Sequence, residues 1–96
     1  MNGEVKFYVD SLMHRGMVFG GRPVWSAHLF TDGTVRDLLK FGWGIGLRSR
    51  WLDDKNEIPH FDVTEQMWNR ALAAGAILVS REEATALWKK LRERAV

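Results

Sequence analysis

Three times along this chain a short β-branched or aromatic run gives way within a few residues to a helix carrying its own start and stop signals. That alternation limits the fold more than any other feature, because strands alternating with helices build layered α/β domains. Residues 5–9, Val-Lys-Phe-Tyr-Val, are nearly continuous in apolar character and stop at Asp10, as a strand buried on both faces does. Thr31, Asp32 and Thr34 offer N-caps for a helix over about residues 34–45, with an apolar stripe at Val35, Leu38, Leu39 and Ile45 and Gly46 at the left-handed C′ position. Gly42 and Gly44 each weaken that helix by about 1 kcal/mol relative to Ala, so packing, with Trp43 as the candidate, has to hold its second half. Thr64 opens a second helix through Met67, Trp68, Ala71 and Leu72, ended by Gly75. Residues 76–79 read as another buried strand. Ser80 and Glu83 then form a capping box for a last helix with its stripe at Ala84, Leu87, Trp88, Leu91 and Ala95. Acids open that helix and Lys89, Lys90, Arg92 and Arg94 close it, matching the helix dipole as a solvated surface would.

The connecting segments are less regular. Gly16, Gly20, Gly21 and Pro23 punctuate residues 11–23 so often that a mobile loop is expected. Residues 24–30 read as extended, and residues 47–52 as a short strand with Arg48 and Arg50 on one face, followed by a polar turn over 53–57. Residues 58–63 are extended because Ile58 precedes Pro59 and avoids α geometry. The expected fold is one α/β domain over residues 1–96: a small, mostly parallel sheet of three to four strands with about three helices. Ligands of such sheets sit beyond the carboxyl ends of the strands.

Composition bounds the chemistry. At 96 residues, 46% of them apolar, the chain has material for one core, and the five tryptophans are needed there, with Trp25 and Trp51 the two admitted to a pocket. It has no cysteine, which excludes disulfides, thiolate zinc sites and cysteine nucleophiles together. A formal charge of +2 does not announce nucleic-acid binding. No apolar run approaches the ~20 residues of a membrane span, and Met1-Asn2-Gly3-Glu4 lacks the shape of a signal peptide, so a cytoplasmic protein is expected. The alternating glycines at 42, 44 and 46 neither follow a strand nor open a helix, which removes a dinucleotide-binding loop. No nucleophile-elbow serine is present, and Ser80 is explained as a cap.

The residues left to carry chemistry are His28 and His60, each followed by a carboxylate, Asp32 and Asp62. Two imidazoles titrating near neutrality can serve as general acid and base, with a carboxylate fixing the tautomer. The same set can ligate Zn, Mn or Fe and activate water, so the residues leave open both no cofactor and a divalent metal. Asp10 ends a buried strand, where a carboxylate either caps a turn or enters a site. His14, Arg15 and Arg22 would let the glycine-rich segment close over an anion. Arg48 and Arg50 before Trp51 are the mixture that holds a phosphate and stacks a base. Each also has a plain structural reading, as a hydrogen-bonded histidine or a solvated basic surface.

With these residues identified, the chain resembles the small bacterial and phage family catalogued as domain of unknown function 4031. The likeness runs through residues 5–10, Gly21-Arg22 to Trp25-Ser26-Ala27-His28-Leu29 with Asp32, Phe41, Gly46-Leu47, Arg50-Trp51, His60-Phe61-Asp62-Val63, and Gly75-Ala76 to Val79-Ser80. Asp10, His28, Asp32, Arg50, His60 and Asp62 match positions of the family's pattern. Departures fall at Leu12-Met13-His14, where the family tends to carry Trp-Pro, and at Gly42 and Gly44. The resemblance brings no established activity.

The leading expectation is a small nucleotide-directed phosphodiesterase or related hydrolase. His28 and His60 would be acid and base, Asp32 or Asp62 would orient them, and Arg50 would hold phosphate. The family's presence in phages suggests an oligonucleotide signal of bacterial immunity as substrate. The alternatives are a module, homo-oligomeric with pockets between chains, that sequesters a nucleotide or other phosphate-containing ligand unchanged, and a protein-interaction domain in which both histidines are structural.

Overall fold

The computed structural model describes residues 4–55 and 58–94. Met1 to Gly3, Asn56, Glu57 and Ala95, which entered the sequence reading, lie outside them. Strands β1 (Phe7–Val9), β2 (Met13–Phe19) and β3 (Arg22–Thr31) are followed by helix α1 (Val35–Ile45), a 3₁₀ turn (Ser49–Trp51), β4 (Leu52–Asp53), β5 (His60–Thr64), α2 (Glu65–Ala73), β6 (Ile77–Leu78) and α3 (Arg81–Arg94). They form one six-stranded sheet of order β4-β5-β3-β1-β6, with β2 also paired to β3. Only the β1–β6 pair is parallel; β1–β3, β2–β3, β3–β5 and β4–β5 are antiparallel.

The expectation of a small, mostly parallel sheet of three to four strands is therefore overturned, and the cause lies in residues 11–23. Their glycines do not break the chain into a loop; they shape a hairpin. Gly20 and Gly21 have φ of 60° and 79°, the paired left-handed geometry of a two-residue turn whose twist matches antiparallel strands. Gly16, at φ 86°, lies in the register shift between His14 and Val18. A second irregularity separates β1 from β2. Val9 faces Leu29 and Met13 faces Ser26, so four steps on one side answer three on β3. The extra residue falls at the end of β1, where Asp10 stands.

Central strand β3 sorts its side chains by alternation. Ala27 and Leu29 join Val9, Leu38, Ile45, Phe61, Val63 and Ala71 in the core beneath α1 and α2. On the opposite face Phe30 joins Tyr8, Ile58, Val79 and Ala84, against which Leu87, Trp88 and Leu91 of α3 pack. The sheet is thus the middle of three layers. Two further expectations change. Residues 49–51 form a 3₁₀ turn, so Arg48 and Arg50 do not share a strand face. β6 is a two-residue edge strand whose own side chains are exposed, only the flanking Ala76 and Val79 being buried. Among the described residues no helix is long and apolar enough to cross a membrane.

The α1 expectation holds in outline. Thr34 and Asp37 make a reciprocal capping box and Gly46 ends the helix at φ 99°. Trp43 does not hold its second half by burial, being 53% exposed with its Nε1 donating to Ser49 Oγ at 2.8 Å. Gly42 does, because it lets the fully buried Phe61 approach: a Cβ at 42 would lie 2.8 Å from Phe61 Cε2, whereas nothing lies within 4 Å of one at 44. The two glycines should therefore respond oppositely in denaturant unfolding. Gly44→Ala is expected to stabilise by up to about 1 kcal/mol through helix propensity. Gly42→Ala should destabilise, since overpacking of about 1–3 kcal/mol exceeds that gain.

Candidate metal centre

The antiparallel pairing that displaced the expected fold also assembles the site. His28 on β3 lies directly opposite Asp62 on β5, and His60, two residues back on β5, lies opposite Asp53 on β4. Residues 28, 60 and 62 therefore share the α3-side face of two adjacent strands, β3 and β5. The rings of His28 and His60 meet edge to face with centroids 5.2 Å apart. His28 Nε2 lies 3.7 Å and His60 Nε2 3.6 Å from Asp62 Oδ1, and His60 Nε2 is 3.8 Å from Asp53 Oδ2. One ligand atom each from His28, His60 and Asp62 fit within 4.8 Å of one another.

The second nitrogen of each ring decides what the first can do. His60 Nδ1 is 2.8 Å from the Ile58 carbonyl, which can only accept, so Nδ1 carries a hydrogen and in the neutral ring the lone pair is on Nε2. His28 Nδ1 is 2.7 Å from Asp10 Oδ2 and donates to it in the same way. Both imidazoles thus aim basic nitrogens at one carboxylate, with a carboxylate or a backbone carbonyl behind each ring. Metal-ligating histidines have this outer arrangement. Trp88 of α3 closes the face, its ring 5.3 Å from His28 and 5.2 Å from His60 between centroids. Its Nε1 is buried and has no hydrogen-bond partner among the described residues.

Asp10 is fixed by the irregularity at the end of β1. Its backbone N–H donates to His28 O at 3.2 Å, while its side-chain Oδ1 accepts the His28 N–H at 2.7 Å in place of a ladder carbonyl. The Asp10 carbonyl takes a hydrogen bond from Trp68 Nε1 instead. Arg15 completes the mounting: it reaches Asp10 Oδ2 at 3.4 Å and donates to the carbonyls of Ser11 and Ser26. Burial pushes the Asp10 carboxyl up. The hydrogen bonds from the His28 ring and backbone, with the charge of Arg15 and, where its ring is protonated, of His28, together outweigh that and hold it below its ordinary range.

Other residues singled out from sequence lie elsewhere. Asp32 is four residues beyond His28, about 13 Å along an extended strand, where its Oδ1 accepts Lys6 N–H at 2.8 Å. It lines a separate cleft with Thr34, Leu38, Ile58 and Arg94, and orients neither histidine. Beside it the Tyr8 phenol is raised by burial, then by the charge of Asp32 and a hydrogen bond to it. Arg22 sits at the hairpin turn, paired with Phe19. Arg48 stacks over Trp51 at 5.8 Å, and neither these nor Arg50 line the two clefts flanking His28. Sequence reasoning missed Asp53, Trp88 and the Ile58 carbonyl as parts of the site, and gave Arg15 and Asp10 a ligand-binding role where they support His28. The Ile58-Pro59 pair was the one available signal, since it fixes the extended backbone before His60.

A family model described as a protein of unknown function, domain of unknown function 4031, matches residues 7–91, and the chain belongs to that family. No curated protein and no solved structure matches it.

Asp10→Asn should isolate the support behind His28. A single carbonyl oxygen cannot replace two carboxylate oxygens that accept the His28 N–H and Nδ1–H separately, so a loss of about 1–3 kcal/mol is expected in urea unfolding at neutral pH. Because the folded-state pKa of Asp10 is lowered, its stabilisation is present above the ordinary carboxyl value of about 3.9 and disappears as pH falls below it. The gap between wild type and variant should therefore narrow between neutral pH and pH ~3.

Proposed function

We propose that this chain is a divalent-metal-dependent hydrolase of phosphate esters, with His28, His60 and Asp62 as the metal ligands. The observation that carries the reading is the convergence of both Nε2 lone pairs on one carboxylate, with both Nδ1–H groups already committed behind. An ion about 2.1 Å from each ligand in tetrahedral geometry sets its donors about 3.4 Å apart. The separations of 3.6 and 3.7 Å to Asp62 Oδ1 lie within a few tenths of that. Two imidazoles and a carboxylate with open positions suit Zn, Mn, Fe or Co.

Spacing also weighs against the metal-free acid–base pair. In-line displacement places the entering and leaving oxygens on opposite sides of phosphorus, each about 2.6–3.2 Å from its catalytic group, so the two nitrogens belong more than about 6 Å apart. Here the ligand atoms lie within 4.8 Å. A bound divalent ion supplies an activated water and a positive charge for the phosphoryl oxygens. Asp53, beside His60 Nε2, is the carboxylate placed to accept a proton from the attacking water and would return it to the leaving ester oxygen as the P–O bond breaks. Asp62, with a side chain 47% exposed, opens the ligand set towards a cleft shared with Arg15, Ser26 and His28, through which an ester can approach.

Metal-stripped protein titrated with Zn²⁺, Mn²⁺ and Co²⁺ should bind one equivalent, with Co²⁺ giving visible bands of low-coordinate nitrogen and oxygen ligation. His60→Ala and Asp62→Ala should each weaken binding by at least about 100-fold and remove metal-dependent hydrolysis of bis(p-nitrophenyl) phosphate. Asp10→Asn, acting through His28, should weaken it by about 10–100-fold. Absence of saturable binding for all three ions, or affinity unchanged in the His60 and Asp62 variants, rejects the proposal.

A further inference from the structure

His28 also forms the end wall of a second cleft, of about 440 Å³, between β2 and α3. Helix α3 contributes Arg81, Thr85, Trp88 and Arg92 to it, spaced i, i+4, i+7 and i+11, which places all four on one helical stripe. Across the cleft stand His14 and Arg15. The guanidinium groups of Arg81 and Arg92 and the imidazoles of His14 and His28 thus line a space whose carboxylate among the described residues, Asp10, is held by the His28 ring and by Arg15. Along the helix axis Arg81 and Arg92 are about 16 Å apart, with Trp88 between them. Two long side chains at that separation suit anionic groups strung along an extended ligand better than one compact anion.

We propose that this cleft holds the non-reacting phosphates of the substrate, so that the substrate class is a single-stranded nucleotide chain carrying at least two phosphates. The proposal rests on the metal-centre reading for the reacting ester, which His28 would join to the cleft; the cleft itself binds whether or not an ion is present. Trp88 and the exposed His14 ring, itself stacked on Trp25 with centroids 4.2 Å apart, border the phosphate track with aromatic surface suited to bases. Thr85 Oγ donates to the Arg81 carbonyl, which leaves Arg81 as the contact at the helix start.

The test uses metal-free protein, calorimetric titration at low ionic strength, and two probes: thymidine 5′-monophosphate and the 5′-phosphorylated dinucleotide of thymidine. The dinucleotide should bind at least about tenfold tighter, as one added Arg–phosphate contact implies. Arg81→Ala and Arg92→Ala should each remove most of that advantage, with circular dichroism confirming that each variant keeps its fold. Arg48→Ala, an exposed arginine outside both clefts, should change it less than about twofold. Equal affinity for the two probes, or a preference untouched by both arginine variants, overturns the cleft assignment. Intact arginine-dependent binding with no hydrolysis of the dinucleotide under Zn²⁺, Mn²⁺ or Co²⁺ supports the cleft and counts against the hydrolase reading instead.

Discussion

The arrangement of the site depends on a buried aspartate taking the place of a strand. Where β1 ends, the Asp10 side chain accepts the His28 backbone N–H that a ladder carbonyl would otherwise receive, and with its other oxygen it holds the His28 ring. Backbone register and imidazole orientation are thereby tied to one carboxylate. A buried charge is tolerated only when paired and hydrogen-bonded, and Arg15 from β2 supplies the pairing. The bulge, the hairpin and the histidine are consequently one structural unit, and a change in any of them reaches the others.

The central strand carries two different jobs on its two faces. Ala27 and Leu29 close a dry core under α1 and α2, whereas the α3 side mixes Phe30 and Tyr8 with imidazoles and carboxylates. Polar side chains can line that layer because α3 covers it only in part, leaving clefts on both sides of His28. Trp88 shields the rings from one side and raises the strength of every electrostatic interaction among them by displacing water. Packing and charge thus meet on a single helix, whose apolar stripe of buried Ala84 and half-buried Leu87 and Leu91 runs beside the arginines that line the cleft.

Local signals in the chain were read correctly where the physics is local. The capping box at Ser80/Glu83 forms as its spacing requires, Thr34 is the one of the N-cap candidates that caps α1, and Gly46 adopts the left-handed conformation that ends that helix. The hairpin was missed because glycines at 16, 20 and 21 were weighed as breakers, when paired positive φ values at Gly20-Gly21 build the turn that antiparallel strands need. Sheet direction followed from that error. A strand's neighbours depend on which turns fold back and which cross over, and the hairpin turns β3 back antiparallel to β2 and β1, while β5 pairs antiparallel on its own account.

For the site, the sequence by itself determined the available chemistry: no thiol, two histidines with nearby carboxylates, and a basic last helix. It also determined the helices, since caps and apolar spacing act within a few residues. Only the tertiary structure decided that Asp62 and Asp53 face the imidazoles, that Asp32 stands at the far end of the strand, and that Arg81 and Arg92, not Arg48 and Arg50, border His28. The physical reason is register. Cross-strand proximity is set by pairing between segments tens of residues apart, and a shift of one residue, as at Asp10, sends a side chain to the other face.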